Sequence, residues 1–458
     1  MDNLYVNEIL ELFDLNLEND VFKERILEYH PYELSEAIVE MNEDQRAFLF
    51  GLLGPSDISY SIAHLEVEDA IEMFNEMKPR YIVNIIQELE MDDAVDLMLA
   101  LPEEERAGYL KLMDQEHRAK IKDFFKYQED TAGSIMTTEY IELSVKDTVE
   151  GAMRKLINQA VEASTIYTLY VVDDKNILVG TLSLREMILA RKGEKISEIM
   201  NQRVISVKTG MDQEAVADIA MDYDFTSIPV VDHLNRMLGV ITIDDIIDVI
   251  EEEAVEDYSR LAAISDVEID SETETIWMSA RKRLPWLLVL TILGFLTSTI
   301  IAQFEGTLDQ VPTIALFMPM ILGMAGNTGT QSLAVTIRGL NDGEFDSKTE
   351  VVRHLIREVG TGLVNGLLIG IILFIVTFGF LSITGNGDIA FQITQAVSLS
   401  ILVSLTFATL AGALIPIIIN SFKIDPAVAS GPFVTMVIDL IALSVYFFLA
   451  TILIINTL

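Results

Sequence analysis

From Leu284 onward the chain carries five segments long enough to cross a bilayer as helices, at about 284–304, 311–337, 359–383, 389–422 and 428–456. No other feature constrains the fold as strongly. The second segment is the most polar of the five. The fourth and fifth exceed the minimum length, which predicts tilts or breaks. An odd number of spans puts the two termini on opposite sides, and basic residues orient them. Arg281, Lys282 and Arg283 precede the first span, Arg338, Lys348, Arg353 and Arg357 lie between the second and third, and Lys423 lies between the fourth and fifth. The loops 305–310 and 384–388 and the C-terminal tail carry no Lys or Arg. The positive-inside rule therefore predicts a multi-pass protein of the cell membrane with its N-terminus cytoplasmic and its C-terminus outside.

Charge divides the chain at the same place. Residues 1–280 hold 23 basic and 61 acidic side chains, a net of −38, whereas residues 281–458 hold 8 and 10, a net of −2. So acidic a portion repels nucleic acid and anionic lipid and collects divalent cations, although a solvated, solubilising surface also accounts for the charge alone. Without cysteine there is no disulfide and no thiolate metal site. The start, MDNLYVNEILELF, shows no basic region followed by an apolar core, so no cleavable signal peptide is expected.

Residues 1–130 alternate acidic and apolar positions at helical spacing, with breaks at Gly54-Pro55, Pro79 and Pro102, which predicts a compact array of short helices. Residues 131–254 contain an internal repeat: LYVVDDKNILVGTLSLREMI (169–188) matches IPVVDHLNRMLGVITIDDII (228–247) at a constant offset of 59 residues. Each copy reads as strand, polar turn, strand and a helix capped by Ser183 or Thr242. The repeat resembles a tandem pair of CBS domains. Some CBS pairs bind adenine nucleotides, with an acidic residue three after the cap on the ribose; the corresponding positions here are Glu186 and Asp245. The same short pattern is also an ordinary helix start.

The stretch ITIDDIIDVIEEEAVEDYSRLAAI then predicts a helix leading towards the membrane. Asp245, Asp248, Glu253, Glu256 and Asp257 fall on roughly one half of its circumference. Such a face resists packing against another acidic surface, of which Asp92, Asp93 and Asp96 are the candidate, unless cations intervene. In the second span, PMILGMAGNTGTQSLAVTIRGL combines Gly323, Gly326 and Gly329 with Asn327, Thr328, Thr330 and Gln331. Glycines let backbones approach, and such a density of neutral oxygens in lipid fits a water-filled path as well as small-residue helix packing. In the fifth span Asp439 is the one acidic residue between Gly431 and Leu458, with no basic residue to neutralise it. A carboxylate at the bilayer centre costs about 2.5–3.5 kcal/mol on insertion scales, so it calls for water, a cation or a partner helix. One carboxylate with neutral oxygens suits a hard, largely hydrated cation such as Mg2+. With His354 as the one histidine of the membrane half, softer metals are disfavoured.

Taken together, the acidic helical N-terminal region, YQEDTAGSIMT, the CBS-like repeat, the acidic helix after it, PMILGMAGNTGTQS and DPAVASGPFVTMVID resemble the MgtE magnesium transport family along essentially the whole chain. The resemblance implies a multidomain membrane protein: an all-α cytosolic N domain (1–130), an α/β tandem CBS pair (131–254, divided at about 195), a plug or connecting helix (251–280) and an α-helical transmembrane bundle of five spans (281–458). It implies a homodimer in the lipid bilayer, with no nucleic-acid partner, whose pore imports Mg2+ and closes when cytosolic Mg2+ is high. Asp439 would be the central pore aspartate, with Gly323, Gly326, Asn327, Thr328 and Thr435 lining the path. Asp92, Asp96, Asp212, Asp224, Asp245, Asp248, Glu253, Glu256, Asp257 and Asp425 would hold regulatory Mg2+, and ATP is a possible ligand of the CBS pair. Gly431 departs from the family, some members of which have an asparagine near the pore there.

Two rival classes stand beside this reading. A membrane-anchored adenine-nucleotide sensor uses the CBS pair but gives no role to the polar second span or to Asp439. An intramembrane enzyme lacks a motif, since neither HExxH, GxSxG nor paired membrane carboxylates occur.

Overall fold

Prolines and helix caps punctuate the N-terminal region into short helices. These are α1 (Leu4–Asp14), α2 (Asn19–Ile26), α3 (Pro31–Glu40), α4 (Glu43–Leu52), α5 (Pro55–Ala63), α6 (Val67–Phe74), α7 (Pro79–Ile86), α8 (Met91–Ala100), α9 (Glu103–Leu112) and α10 (Gln115–Phe124). Proline opens α3, α5 and α7, where its missing N–H would have had no partner in any case. The computed structural model describes residues 4–454 apart from 16, 161–162, 265–274, 346 and 384–386. It divides into two compact units, Met1–Glu251 and Glu252–Leu458.

In the first unit the repeat folds as two similar modules. One contains β1 (Glu142–Ser144), α11 (Val149–Gln159), β2 (Thr168–Val172), β3 (Leu178–Ser183), α12 (Leu184–Leu189) and α13 (Ile196–Ile199). The other contains β4 (Val207–Lys208), α14 (Gln213–Tyr223), β5 (Ser227–Val231), β6 (Met237–Thr242) and α15 (Ile243–Leu261). Each sheet has a parallel pair (β1–β2, β4–β5) and an antiparallel pair (β2–β3, β5–β6). The segment leading into each module is exchanged. Thr137 pairs with Val240 of the second sheet, and Asn201 pairs with Thr181 of the first. This exchange explains the glycine repeated in both copies. A Cβ on Gly180 would lie 2.5 Å from Met200 Sδ, and one on Gly239 would lie 2.5 Å from the Thr137 carbonyl. The α1–α10 region and the second module share one apolar cluster, from Ile9 and Ile38 through Ile85 to Val230 and Ile246. The first module has its own, around Ile141, Leu169 and Leu182.

The second unit is a helical bundle: α16 (Ile276–Gln303), the short α17 (Glu305–Gln310), α18 (Met318–Asn341), α19 (Lys348–Ile383), α20 (Gly387–Ser421) and α21 (Gly431–Leu453). Among the described residues four helices, α16, α19, α20 and α21, are long and apolar enough to cross a membrane. The predicted second span differs from expectation. Residues Pro312–Phe317 form a 3-10 turn, pinned where Tyr446 donates to the Ile314 carbonyl (2.7 Å), and α18 starts only at Met318 and runs on to Asn341. Pro312 and Pro319 each open a new helical piece, which is why the apolar run is broken there. At 24 residues α18 still measures about 36 Å, enough to cross, though its polar face makes it the least apolar of the five. The connecting helix also differs: α15 begins at Ile243, inside the second module, and ends at Leu261, short of the predicted 280, while residues 265–274 lie outside the described part.

Glycine sets the closest helix contacts. Gly362, Gly366 and Gly370 form a four-residue repeat on α19, where added Cβ atoms would fall 2.8, 2.9 and 3.1 Å from backbone atoms of Thr406, Leu402 and Ser398 on α20. On the other side of α20, a Cβ on Gly412 would come within 2.3 Å of the Gly329 carbonyl of α18.

Candidate functional site

α8 buries Met91, Ala94, Val95, Leu97 and Met98, and that apolar stripe turns Asp92 inward. Asp92 is 8% exposed, and its Oδ1 has no hydrogen-bond partner among the described residues. Burial, then the neighbouring Asp245, Asp93 and Glu90 carboxylates, push its carboxyl well above the usual range. Asp245 is held by its own helix cap, its Oδ2 accepting from the Thr242 backbone N–H (3.1 Å). Burial raises Asp245 to about 6, against the opposing Thr242 bonds, and raises Asp93 to about 7 with help from Glu90 and Asp245. One turn on, exposed Asp248 faces His64 at the end of α5. Burial and His30 lower the His64 ring below its ordinary value, opposed by Asp248 and Asp244. Sequence reasoning missed both His64 and Glu90, because neither belongs to a motif and each becomes relevant only through packing.

Exposed Asp96, one turn after Asp93 on α8, helps to raise the Asp93 carboxyl and also feels Glu129. Two predicted ligands in this unit, Asp212 and Asp224, lie apart from the cluster. Asp212 caps the start of α14 by accepting from the Glu214 N–H (3.1 Å), while Asp224 ends the same helix in the left-handed conformation, φ 51°. The helix between them holds these two about 18 Å apart along its axis. Short acidic side chains favour both helix ends for local reasons as well.

In the bundle, α18 and α21 face each other through small residues. A Cβ on Gly326 would meet Thr435 Cγ2 at 2.9 Å, and one on Gly329 would meet Ile438 Cδ1 at 1.9 Å. Thr330 and Thr435 hydroxyls lie 3.3 Å apart across this seam. Gly326 and Thr328 are thus packed within the single chain, and Thr328 is buried with its hydroxyl donating to the Met324 carbonyl (2.8 Å). The open face of α18 is instead the stripe Gly323, Asn327, Gln331. On α21, half-buried Asp439 has one carboxylate oxygen, Oδ1, buried with no hydrogen-bond partner among the described residues. At Gly431 an added Cβ would find ordinary contacts, Thr330 Cγ2 at 3.5 Å and the Leu261 carbonyl at 3.6 Å, so glycine there is not forced by space.

The end of α15 belongs to this second unit, and its acids are engaged. Arg260 joins Glu256, one turn back on its own helix, to Asp425 in the loop before α21. Asp257 accepts from Asn341 Nδ2 at the end of α18 (2.9 Å), and Leu261 packs against the bundle core. Burial, then Asp425 and Glu253, raise the Asp257 carboxyl, against the Asn341 bond. Glu253 is half-buried one turn before Asp257. Glu256 and Asp425, predicted as cation ligands, are thus bridged here by a guanidinium. The Glu256–Arg260 spacing was visible in the sequence; the Asp425 partner, 165 residues away, was not.

No group of three or more His, Asp or Glu side chains among the described residues converges as a preformed metal cage. The first CBS module offers a different site. A cavity of about 620 Å3 is lined by Tyr167, Thr168, Ser183, Arg185, Ile188 and Thr226, among others. Glu186 is turned onto its own cap, accepting from the Ser183 N–H and hydroxyl (2.9 and 2.7 Å). At the repeat offset of 59, Arg185 corresponds to Asp244, so the two modules present opposite charge at equivalent positions.

Comparison with known proteins agrees with this division. Residues 29–130 match the MgtE intracellular N domain, 132–193 and 196–252 match the CBS domain, and 318–449 match the MgtE divalent cation transporter family. The magnesium transporter MgtE of Bacillus subtilis is 37% identical, covering 98% of this chain and 97% of that one. The magnesium transporter MgtE of Enterococcus faecalis is 42% identical over 73% of this chain and 72% of its own. Among solved structures, the soluble part of a magnesium transporter is 39% identical with a TM-score of 0.52, covering 55% of this chain and 98% of that one. The cytosolic domain of the Mg2+ channel MgtE in complex with ATP is 35% identical with a TM-score of 0.50, covering 54% and 99%. With full-length relatives, matched domains in the same order and several apolar helices, the chain is a multi-pass membrane protein that belongs to the MgtE family of divalent cation transporters.

Proposed function

We propose that this chain is a magnesium channel that admits Mg2+ to the cytoplasm and is closed by cytosolic Mg2+. The observation that carries the pore assignment is Asp439, a carboxylate with a buried, unpartnered oxygen in an otherwise apolar helix, beside the glycine-rich α18. A cation with its water shell supplies what that oxygen lacks. The stripe Gly323, Asn327, Gln331 faces away from the rest of its own chain and suits a path shared with a second copy, so the working unit is a homodimer in the cell membrane with the acidic portion cytoplasmic. Transport down a gradient requires no bond chemistry, and no enzymatic step is assigned.

For closure, Mg2+ binds the Asp92, Asp93 and Asp245 carboxylates, relieving a repulsion that otherwise favours separation of α8 from α15. A ligand that binds one state better shifts the equilibrium to that state. Asp248, Glu253, Glu256, Asp257 and Asp425 contribute along α15 and at its end. The cavity beside Arg185 is assigned to ATP, on the strength of its cation and of the ATP-bound structural relative. Arg185→Ala is expected to weaken ATP binding in a titration of the purified protein.

Mg2+ flux into proteoliposomes tests the reading. Wild type is expected to conduct at low Mg2+ on the side of the soluble portion and to close as that Mg2+ rises. Asp439→Ala is expected to lose at least about tenfold of the flux, equivalent to about 1.4 kcal/mol of lost stabilisation in the path. Full flux through Asp439→Ala would remove that residue from the pore.

A further inference from the structure

One face of α19 carries positive charge up to the start of its apolar run. Arg353, Arg357, Gly360, Val364, Leu367 and Ile371 recur at spacings of four and three, the period of a single helical stripe, and all six are exposed. The two arginines stand one turn apart, about 6 Å along the axis. One turn beyond them a Cβ on Gly360 would meet nothing within 4 Å, so the stripe is notched there. From Val364 onward it is apolar, as befits a helix flank that meets lipid chains.

Neither guanidinium is neutralised within the chain. Arg353 makes no hydrogen bond or ion pair among the described residues. Glu350, one turn before it, is turned back onto the helix cap, accepting from the Ser347 N–H and hydroxyl (3.0 and 2.8 Å). Glu358, next to Arg357 in sequence, is buried on another face, 2.7 Å from Ser332 Oγ. Arg357 Nη2 lies 3.1 Å from Nδ1 of buried His354, and because guanidinium only donates, that nitrogen accepts. One of its five N–H donors is thereby used, and four have no partner among the described residues. The His354 bond also keeps the Arg357 head beside the helix, where it cannot reach freely toward water as an untethered arginine would. Such planar, permanently charged donors match the oxygens of a phosphate.

We propose that Arg353 and Arg357 hold the phosphate of an anionic phospholipid whose acyl chain lies past Gly360 along Val364, Leu367 and Ile371. Two positive charges one turn apart call for a headgroup of net negative charge, whereas a zwitterionic lipid brings its own ammonium. A soluble phosphate has no chain for the apolar part of the stripe. A second copy packed on this face about a two-fold axis would bring like charges together. The acidic portion of the chain repels such a headgroup at long range, so the attraction comes from guanidiniums in direct contact. His354, which accepts from Arg357, also lies 2.8 Å through Nε2 from Thr336 Oγ1 of α18. Occupancy of the headgroup site therefore bears on the helix that carries Gly323, Asn327 and Gln331; this consequence, but not the lipid site itself, rests on the channel reading above.

Native mass spectrometry of the full-length protein, titrated with phosphatidylglycerol or with phosphatidylcholine of the same chains, tests the site without any flux. Wild type is expected to bind phosphatidylglycerol at least about tenfold more tightly. Arg353→Gln with Arg357→Gln should abolish that preference, and Arg281→Gln with Arg283→Gln should keep it. A preference retained by the first pair, or lost equally by the second, overturns the proposal. Should the double variant misfold, Arg353→Gln alone, which breaks no described contact, is expected to weaken phosphatidylglycerol binding about fivefold, and unchanged binding overturns the site. Displacement of the lipid by an equal concentration of glycerol phosphate would overturn the choice of a lipid. Loss of self-association with the preference retained would give the face to a second copy. In liposomes, wild-type Mg2+ flux is expected to differ between phosphatidylglycerol-containing and pure phosphatidylcholine membranes, and the Arg353/Arg357 variant to show no difference. Equal lipid dependence in both would overturn the link to conduction, whereas absence of wild-type flux in either membrane would count against the channel reading and leave the binding result standing.

Discussion

Arg260 shows how one side chain can stand in for a metal ion. Its guanidinium lies between Glu256 and Asp425, two acids each expected to hold regulatory Mg2+, and so ties the end of α15 to the loop before α21 by charge already present in the chain. Partly exposed pairs of this kind contribute about 0.2–1 kcal/mol each, enough to bias a closing step without locking it. Arg260→Gln is therefore expected to raise the Mg2+ concentration that half-closes the channel, measured by flux against Mg2+ on the soluble-portion side. An unchanged midpoint would make the bridge incidental. Residues whose meaning is set by their own helix, such as Asp439 in an apolar run, were legible in the sequence. Residues whose meaning is set by a distant partner, such as Arg260, were not. Asp212 and Asp224 sit at the two ends of one helix, where short acidic side chains are favoured whether or not a cation is near.

At the scale of elements, the contact of α8 with the start of α15 is one whose stability depends on pH. Asp92, Asp93 and Asp245 are raised in the packed state, so that state binds protons more tightly than the separated or unfolded one. Its stability is full below the usual carboxylate range and is lost as pH rises through about 6 to about 7. Without divalent ions the protein should melt higher at about pH 5 than at about pH 8. Mg2+ should restore stability at the alkaline end, where it replaces protons, and do little at the acid end; a concentration ten times the dissociation constant adds about 1.4 kcal/mol per site. Thermal melts at both pH values, with Mg2+ and with chelator, check this, and equal Mg2+ stabilisation at the two would contradict it. The ends of α16 and α19 and both bounds of α20 were readable from hydropathy, whereas the starts of α16 at Ile276 and of α19 at Lys348 lie in charged or polar sequence ahead of the apolar runs. The break before α18 was not, since Pro312 and Pro319 look alike in sequence to prolines that merely kink a span.

Over the whole molecule, the order of regions was legible because each obeys a different sequence rule: helical spacing, a repeat at 59 residues, then apolar spans. What the repeat did not disclose is that its copies exchange their leading segments. Thr137 completes the second sheet and Asn201 the first, so neither module owns all of its hydrogen bonds. A polypeptide severed between residues 193 and 196 would leave each half with an unpaired strand edge and an opened glycine contact. Halves made separately are expected to be recovered as aggregates, and soluble folded half-proteins seen by circular dichroism would contradict this. The duplication therefore gives a single folding unit in two parts, and an insertion tolerated in one half must be accommodated by the backbone of the other.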